Sequence, residues 1–127
     1  IMVIQNLLYL DSQEVENVKR LPEWEKNKCF THLDLNIIPQ IKTRAFEAAF
    51  NKTLMLVKKD PWNVIEHWFE PDVDFVYYDN EETLGVRITE ILNDWEKYSV
   101  LTENAFNKAM SNYTTKHLVN KMIKENC

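Results

Sequence analysis

Glycine is almost absent from this sequence: Gly85 is the only one in 127 residues. A P-loop and a G-x-G-x-x-G turn are therefore excluded, since both need several glycines to bring the backbone close to a phosphate. Long apolar runs are absent too, and no stretch approaches the roughly 20 residues that span a bilayer. The two cysteines, Cys29 and Cys127, form neither a zinc motif nor a disulfide framework. We therefore expect free thiols in a reducing, cytoplasmic compartment.

An excess of basic residues is also lacking. The formal net charge is −5, which argues against nucleic acid as the main partner because phosphate-backbone binding needs a basic face. Apolar residues make up 45% of the chain and aromatic residues 12%, as in a globular protein. The length favours one domain over residues 1–127. Ile1 is an unusual first residue, so we expect this domain to be truncated at its N-terminus.

Apolar runs predict five short strands, at residues 1–4, 7–9, 33–38, 54–58 and 75–78. Predicted helices lie between and after these strands. This alternation implies a parallel sheet with helices on both faces, followed by a helical C-terminal segment. The predicted fold is thus an α/β, doubly wound, Rossmann-like domain, in which ligands bind beyond the carboxyl ends of the strands.

Three helices are predicted between the strands, over residues 11–21, 44–50 and 62–69. The first begins with a capping box formed by Asp11 and Glu14. Asn51 is predicted to end the second in a left-handed conformation, and Asp60 to cap the third. Residues 23–31 are open to either a loop or a short helix. Trp62, Trp68 and Phe69 are predicted to be core residues, as are Phe46 and Phe50.

Three amphipathic helices are predicted to close the chain. The first begins with a second capping box, formed by Asp79 and Glu82. The last begins at Thr115. The apolar positions of these three helices are Leu84, Ile88, Ile91 and Leu92 in the first, Tyr98, Leu101, Ala105 and Ala109 in the second, and Leu118, Met122 and Ile123 in the third.

The loop 39–42 and the helix after it form the candidate binding site. A helix that opens on the hydroxyl residue Thr43, predicted as its N-cap, has unpaired N–H groups and a positive dipole end. Lys42 and Arg44 add positive charge, and we place Gln40 at the same site. Such a helix start binds phosphate. Glu47, one turn into the helix, is poorly placed for phosphate and well placed for a diol, and the combination suggests a nucleotide.

Metal binding is not expected. Asp72 and Asp74 flank one residue, a spacing that in a strand places both carboxylates on the same side, where a divalent ion can bind. The preceding Glu70-Pro71 favours a structural turn instead. The histidines His32, His67 and His117 lack the spacing of a zinc motif, and we expect His67 to have a packing or capping role.

From Leu35 to Ile123 the sequence resembles the C-terminal, donor-binding domain of GT-B glycosyltransferases of group 1. The resemblance depends on several motifs that occur in the family's order: Asn36-Ile37-Ile38-Pro39, Arg44-Ala45-Phe46-Glu47-Ala48-Ala49, the strand 54–57, Phe69-Glu70-Pro71-Asp72 and Tyr113-Thr114-Thr115. This family would give the chain the activity of a hexosyltransferase that uses an NDP-sugar as co-substrate and needs no metal cofactor.

The resemblance implies that Glu47 binds the ribose hydroxyls of the donor, and that Thr43 and Arg44 lie against its diphosphate. The acceptor, a glycan or lipid, would be bound by an N-terminal domain that this chain lacks, so the fragment alone would be inactive. Pro39 stands where many family members have a second glutamate, and Asn51-Lys52 replaces the family's small residue and glycine.

The competing interpretation is a non-catalytic Rossmann-like module in which the closing helices dock a protein partner. The sequence leaves open the base, the sugar, the acceptor, the stereochemical course and the oligomeric state.

Overall fold

The computed structural model describes residues 1–22 and 37–126. Five strands lie in these two ranges: β1 Met2–Ile4, β2 Leu7–Tyr9, β3 Ile37–Pro39, β4 Met55–Lys58 and β5 Val76–Tyr78. The α-helices of the same ranges are α1 Ser12–Lys19, α2 Thr43–Phe50, α3 Glu81–Asn93, α4 Trp95–Asn112 and α5 Thr115–Asn126. Predictions for Cys29, His32, Cys127, the segment 23–31 and the strand residues 33–36 lie outside the described residues.

A three-stranded parallel sheet with strand order β1-β4-β5 organises the domain. Met2 pairs with Met55 across the first interface, and Leu56 with Val76 across the second. The predicted strands 1–4, 54–58 and 75–78 are confirmed, each slightly shorter at its start. With helices around this sheet and a helical C-terminal segment, the α/β Rossmann-like fold is confirmed.

The central strand β4 buries side chains on both faces of the sheet. Met55 and Val57 belong to one core cluster, which also contains residues of α2 and of the second half of α4. Leu56 belongs to a second cluster on the other face, with Ile91 of α3 and Tyr98 of α4. Because successive strand residues point to opposite faces, this continuous apolar run requires helices on both sides.

Small residues allow α2 and α4 to approach closely. Ala45 and Ala49 on α2, and Ala105 and Ala109 on α4, are all fully buried in one cluster. Aromatic side chains pack around this contact: Phe46 lies 5.7 Å from both Phe69 and Tyr113 between ring centroids. The prediction of core roles is confirmed for Phe69, which is buried in this cluster, and for the half-buried Phe46, Phe50 and Trp68, which pack against it. Trp62 is also half-buried but does not belong to the cluster.

Strand β3 lies outside the parallel sheet. It pairs antiparallel with β2, Leu8 opposite Ile38, and it includes Pro39, which the sequence analysis placed in the loop after the strand. Only two residues separate β1 from β2, far fewer than a parallel crossover needs, so β2 cannot lie parallel beside β1. The two strands form a separate small sheet before the candidate site.

Both predicted capping boxes form, but the one before α3 lies one residue later than predicted. In the box before α1, Glu14 N–H donates to Asp11 Oδ1 and Asp11 N–H donates to the Glu14 carboxylate, each at 2.8 Å, as predicted. The box before α3 was placed one residue too early, because Asn80 and Thr83 form it instead. The Thr83 hydroxyl accepts from Asn80 N–H at 2.9 Å and replaces the expected glutamate.

The end of α2 does not use Asn51 in the predicted left-handed conformation. Asn51 has φ −97°, and Lys52 has φ 52°. Lys52 N–H donates to Ala49 O at 3.2 Å and Thr53 N–H to Ala48 O at 2.8 Å, the two bonds of a Schellman motif. A lysine therefore occupies the left-handed position that glycine usually fills in this motif.

The predicted helix over 62–69 is wrong. The structure has a turn at 61–62 and a single 3-10 turn, Val64–His67. Asp60 Oδ1 accepts from Trp62 N–H at 2.9 Å, and Asn63 then adopts a left-handed conformation with φ 47°. A left-handed residue here prevents an α-helix from continuing through the segment.

The closing helices confirm the predicted periodicity but bury less than expected. Leu84 and Ile88 pack on the second cluster, whereas Leu92 is 69% exposed, which corrects its placement on the buried face. Helix α5 begins at Thr115 as predicted, and its apolar residues are exposed. No helix in the described ranges is long and apolar enough to cross a membrane.

Candidate functional site

A cleft of about 470 Å³ lies where α2 begins, at the carboxyl ends of β1 and β5. Both strands run parallel, so their ends meet at one edge of the sheet, where ligands bind in open α/β folds. Its lining residues are Val3, Ile4, Gln5, Lys42, Thr43, Arg44 and Tyr78. The structure thus brings three of the five predicted site residues, Lys42, Thr43 and Arg44, together in one cleft.

The helix start in this cleft has no side-chain cap. Lys42 occupies the N-cap position, with φ −93° and ψ 140°, and makes no capping hydrogen bond. Thr43 is the first helical residue and not the N-cap, so that prediction is wrong by one position. A lysine side chain has no acceptor atom. Ala45 N–H donates to Lys42 O at 3.1 Å, so the N–H groups of Thr43 and Arg44 are the ones that remain available to an anion in the cleft.

Asn6 connects the end of β1 to this helix start. Its Oδ1 accepts from Lys42 N–H at 3.1 Å, and its backbone carbonyl accepts from Gln40 N–H at 2.9 Å. The Asn6 side chain is fully buried, and its Nδ2 has no hydrogen-bond partner among residues 1–22 and 37–126. These bonds hold Lys42 in an extended conformation, which explains why the helix begins at Thr43.

Gln40 and Glu47 lie outside the lining of the cleft. Gln40 Oε1 accepts from Lys42 Nζ at 2.7 Å, so it holds the lysine side chain at the edge of the cleft. Glu47 is exposed on α2, four residues after Thr43 and therefore on the same helix face. At 1.5 Å per residue, about 6 Å of helix separates these two residues. Their separation leaves room for a ligand that contacts both.

Sequence reasoning missed the residues that the strand ends contribute to this region, which are Val3, Ile4, Gln5 and Tyr78 in the lining and Asn6 beside it. Tyr78 is nearly buried and lines the cleft from the last position of β5. Burial raises the pKa of its hydroxyl above the ordinary value. The available signal was position, because Tyr78 ends a predicted strand and Asn6 follows one.

The Asp-x-Asp segment forms a turn, as predicted. Asp72 is exposed with φ 59°, whereas Asp74 is 1% exposed. Asp74 Oδ2 accepts from Glu70 N–H at 2.8 Å and forms an ion pair with Lys108. The two carboxylates therefore do not share a side. Over residues 1–22 and 37–126, no three His, Cys, Asp or Glu side chains are grouped to hold a metal ion.

Tyr77 points to the opposite face of the sheet from Tyr78. Its hydroxyl donates to Glu66 Oε1 at 2.9 Å. Burial, this hydrogen bond and the charges of Glu66 and Asp60 raise the pKa of Tyr77 well above 10.0. Nearby, the exposed His67 ring packs edge-on against Trp68, with 5.6 Å between ring centroids, in accord with its predicted packing role.

Comparison with known proteins bears on what this cleft binds. A family model described as glycosyl transferase-like matches residues 11–124, nearly the whole chain. The match includes α2, β4, β5 and the three closing helices. Neither the curated proteins nor the solved structures include a match to the chain.

Proposed function

The chain belongs to the glycosyl transferase-like family, and on that premise we propose that it is the donor-binding half of a GT-B glycosyltransferase. The intact enzyme would transfer a hexosyl group from an NDP-sugar to an acceptor hydroxyl. The acceptor, a glycan or lipid, and any general base would come from another domain. In this proposal the fragment alone binds the donor weakly and does not turn it over.

The uncapped start of α2 at the edge of the sheet is the observation that carries the proposal. Thr43 and Arg44 present first-turn N–H groups to the cleft, and Lys42 adds a charge beside them. A diphosphate suits this arrangement, because the helix dipole and the basic side chains both favour negative charge. The same groups would stabilise the charge that develops on the leaving diphosphate during transfer.

Glu47 supplies the second part of the proposed donor site. Its exposed carboxylate lies on the face of α2 that begins at Thr43. It makes no hydrogen bond or ion pair with the described residues, so both oxygens are free to accept from vicinal hydroxyls. A ribose next to the diphosphate would provide such hydroxyls, and each charge-assisted bond contributes about 1.5–3 kcal/mol.

Titration with UDP-sugars and GDP-sugars tests this function. We expect amide chemical-shift changes centred on residues 43–47 and a higher melting temperature, since a ligand that binds only the folded state stabilises it. Inorganic pyrophosphate is a useful second probe, because it should shift residues 43–44 without affecting Glu47. No response to millimolar nucleotide would favour the alternative, a non-catalytic interaction module.

A further inference from the structure

Helix α5 separates apolar from basic residues around its axis. At 100° per residue, Leu118, Val119, Met122 and Ile123 fall on one arc of the helix. Lys116, Lys121 and Lys124 fall on or beside the opposite arc, together with His117. The helix is therefore amphipathic, with a basic polar face.

The apolar arc of α5 is exposed in the folded domain. Leu118 is 59% exposed, Val119 46% and Ile123 55%, whereas the apolar positions Ala105 and Ala109 of α4 are fully buried. Each exposed aliphatic side chain forgoes the stabilisation that burial would provide. Neighbouring apolar side chains exposed on one helix face indicate an interaction surface rather than scattered surface residues.

Positive charge is concentrated on this helix. Helix α5 has three lysines and one acidic residue, Glu125, in a chain whose net charge is −5. Lys121 Nζ and Glu125 Oε1 are 3.8 Å apart, and both side chains are largely exposed. Their ion pair therefore contributes little to stability, and the lysine charge can still attract an anionic surface. Without α5, the net charge of the remaining residues is therefore more negative than that of the whole chain. The surface that meets α5 is therefore expected to be negative.

An apolar cavity extends the exposed arc toward the core. It has a volume of about 350 Å³ and lies between α5 and the aromatic cluster. Leu118 lines it from the apolar arc of α5, and His117 and Lys121 line it from the polar side of the same helix. The rest of the domain contributes Phe46, Trp68, Asn112 and Tyr113. Apolar surface is thus continuous from the helix to the aromatic side chains.

We propose that α5 binds the surface of an anionic lipid bilayer, with its apolar arc inserted at the level of the headgroups. Apolar residues on one side and lysines on the other are the composition of helices that lie in the membrane interface. Twelve residues make a helix of about 18 Å, too short to span the roughly 30 Å hydrocarbon core. A protein partner fits less well, because lysine is depleted in protein interfaces.

Sedimentation of the 127-residue chain with vesicles tests this inference. Phosphatidylcholine vesicles would be compared with vesicles of the same size that also contain phosphatidylglycerol. We expect binding to the anionic vesicles that weakens as salt is added, because ions screen the lysine charges. Failure to bind anionic vesicles at low salt, or equal binding to both kinds, would overturn the proposal.

Matched variants locate the binding surface. Val119→Ser combined with Ile123→Ser should weaken vesicle binding at least ~tenfold, because apolar insertion is lost. Val86→Ser is the control, since Val86 is 53% exposed on α3, outside the proposed surface. Equal losses in the control and the double variant would contradict a specific role of α5.

Charge variants separate lipid binding from protein association. Each Lys→Gln change at Lys116, Lys121 or Lys124 should weaken binding to anionic vesicles about fivefold. Lys97→Gln on α4 is the control and should have no effect. Circular dichroism would verify that each variant is folded. If the chain instead forms dimers that the Val119→Ser change disrupts, and binds no vesicles, a second copy covers α5 and the lipid proposal is wrong.

Discussion

Asn6 Oδ1 accepts a 3.1 Å hydrogen bond from the backbone N–H of Lys42, and so joins the end of β1 to the start of α2. The bond is fully buried on the Asn6 side. Because the partners are 36 positions apart in the sequence, only the folded chain brings them together. It holds the loop before α2 in the conformation that leaves the N–H groups of Thr43 and Arg44, two residues that line the cleft, without partners inside the helix.

Replacing Asn6 should therefore destabilise the domain. Asn6→Ala removes the acceptor and leaves a partly buried N–H group unpaired, which costs about 1–3 kcal/mol. Urea unfolding would measure the loss. Gln5→Ala is the neighbouring control, since within the described residues the Gln5 side chain donates only to the exposed Tyr9 hydroxyl, and its effect should stay within about 0.5 kcal/mol. A loss that small for Asn6→Ala as well would show that the bond is unimportant.

Glu47→Ala should weaken nucleotide-sugar binding at least ~tenfold, because a charge-assisted hydrogen bond contributes more than the roughly 1.4 kcal/mol that corresponds to tenfold. Stability should hardly change, since the side chain is exposed. Isothermal titration calorimetry would compare it with Glu82→Ala, an exposed glutamate on α3. Unchanged affinity in the Glu47 variant would contradict its assignment as the ribose ligand.

The ion pair between Asp74 and Lys108 should be costly to break from one side. Lys108→Met leaves the buried Asp74 carboxylate without its counter-charge and should lower the free energy of unfolding by about 3 kcal/mol. Adding Asp74→Asn should recover part of that loss, because the buried charge is then gone. A double-mutant cycle in urea measures the coupling. Strictly additive losses would show that the pair is energetically independent.

At the end of α2, Lys52→Gly should be more stable than Lys52→Ala by about 1 kcal/mol. The backbone at this position is left-handed, with φ 52°, and a Cβ atom is unfavourable there. Both variants lose the exposed ion pair with Glu103, so their difference isolates the backbone effect. Thermal unfolding of the two proteins is the measurement, and equal melting temperatures would refute the explanation.

Alkaline pH should destabilise the protein partly through Tyr77. Its pKa is raised in the folded state, so the folded protein retains a proton that the unfolded chain begins to lose near pH 10. Its contribution is complete below about pH 10 and declines as the pH rises further. Unfolding free energies from about pH 8 to about pH 11 should fall more steeply for the parent than for Tyr77→Phe. Parallel curves would exclude this contribution.

Local patterns predicted those elements whose cause is local. The capping box of Asp11 and Glu14 formed as expected because its partners are three residues apart. The strand β4 was predicted from its apolar run, and the alternation of Met55 and Leu56 between two clusters follows from strand geometry. The prediction of a helix over 62–69 was wrong because Asp60 Oδ1 accepts a hydrogen bond from Trp62 N–H and Asn63 adopts a left-handed conformation. Helix propensity does not indicate whether a segment will form such a turn or a helix.

The candidate site was predicted in part. Lys42, Thr43 and Arg44 share a cleft because the start of α2 lies at the carboxyl edge of the parallel sheet, as the strand and helix order implied. Glu47 follows one turn later by helix geometry alone, and its role as a ribose ligand stays a prediction. Asn6 and Tyr78 were missed because neither lies near α2 in sequence.

The sequence by itself determined the α/β alternation and the position of the basic helix start, since periodicity and neighbouring side chains specify these features. The order of its motifs indicated the family by resemblance, and the family model matches residues 11–124. Only the tertiary structure decided that Lys42 rather than Thr43 precedes the helix, because buried Asn6 holds its N–H from a distant strand. It also decided that Asp74 pairs with Lys108 and that the apolar arc of α5 lies in solvent. These features depend on packing between segments that are distant in the sequence, so a local sequence pattern cannot predict them.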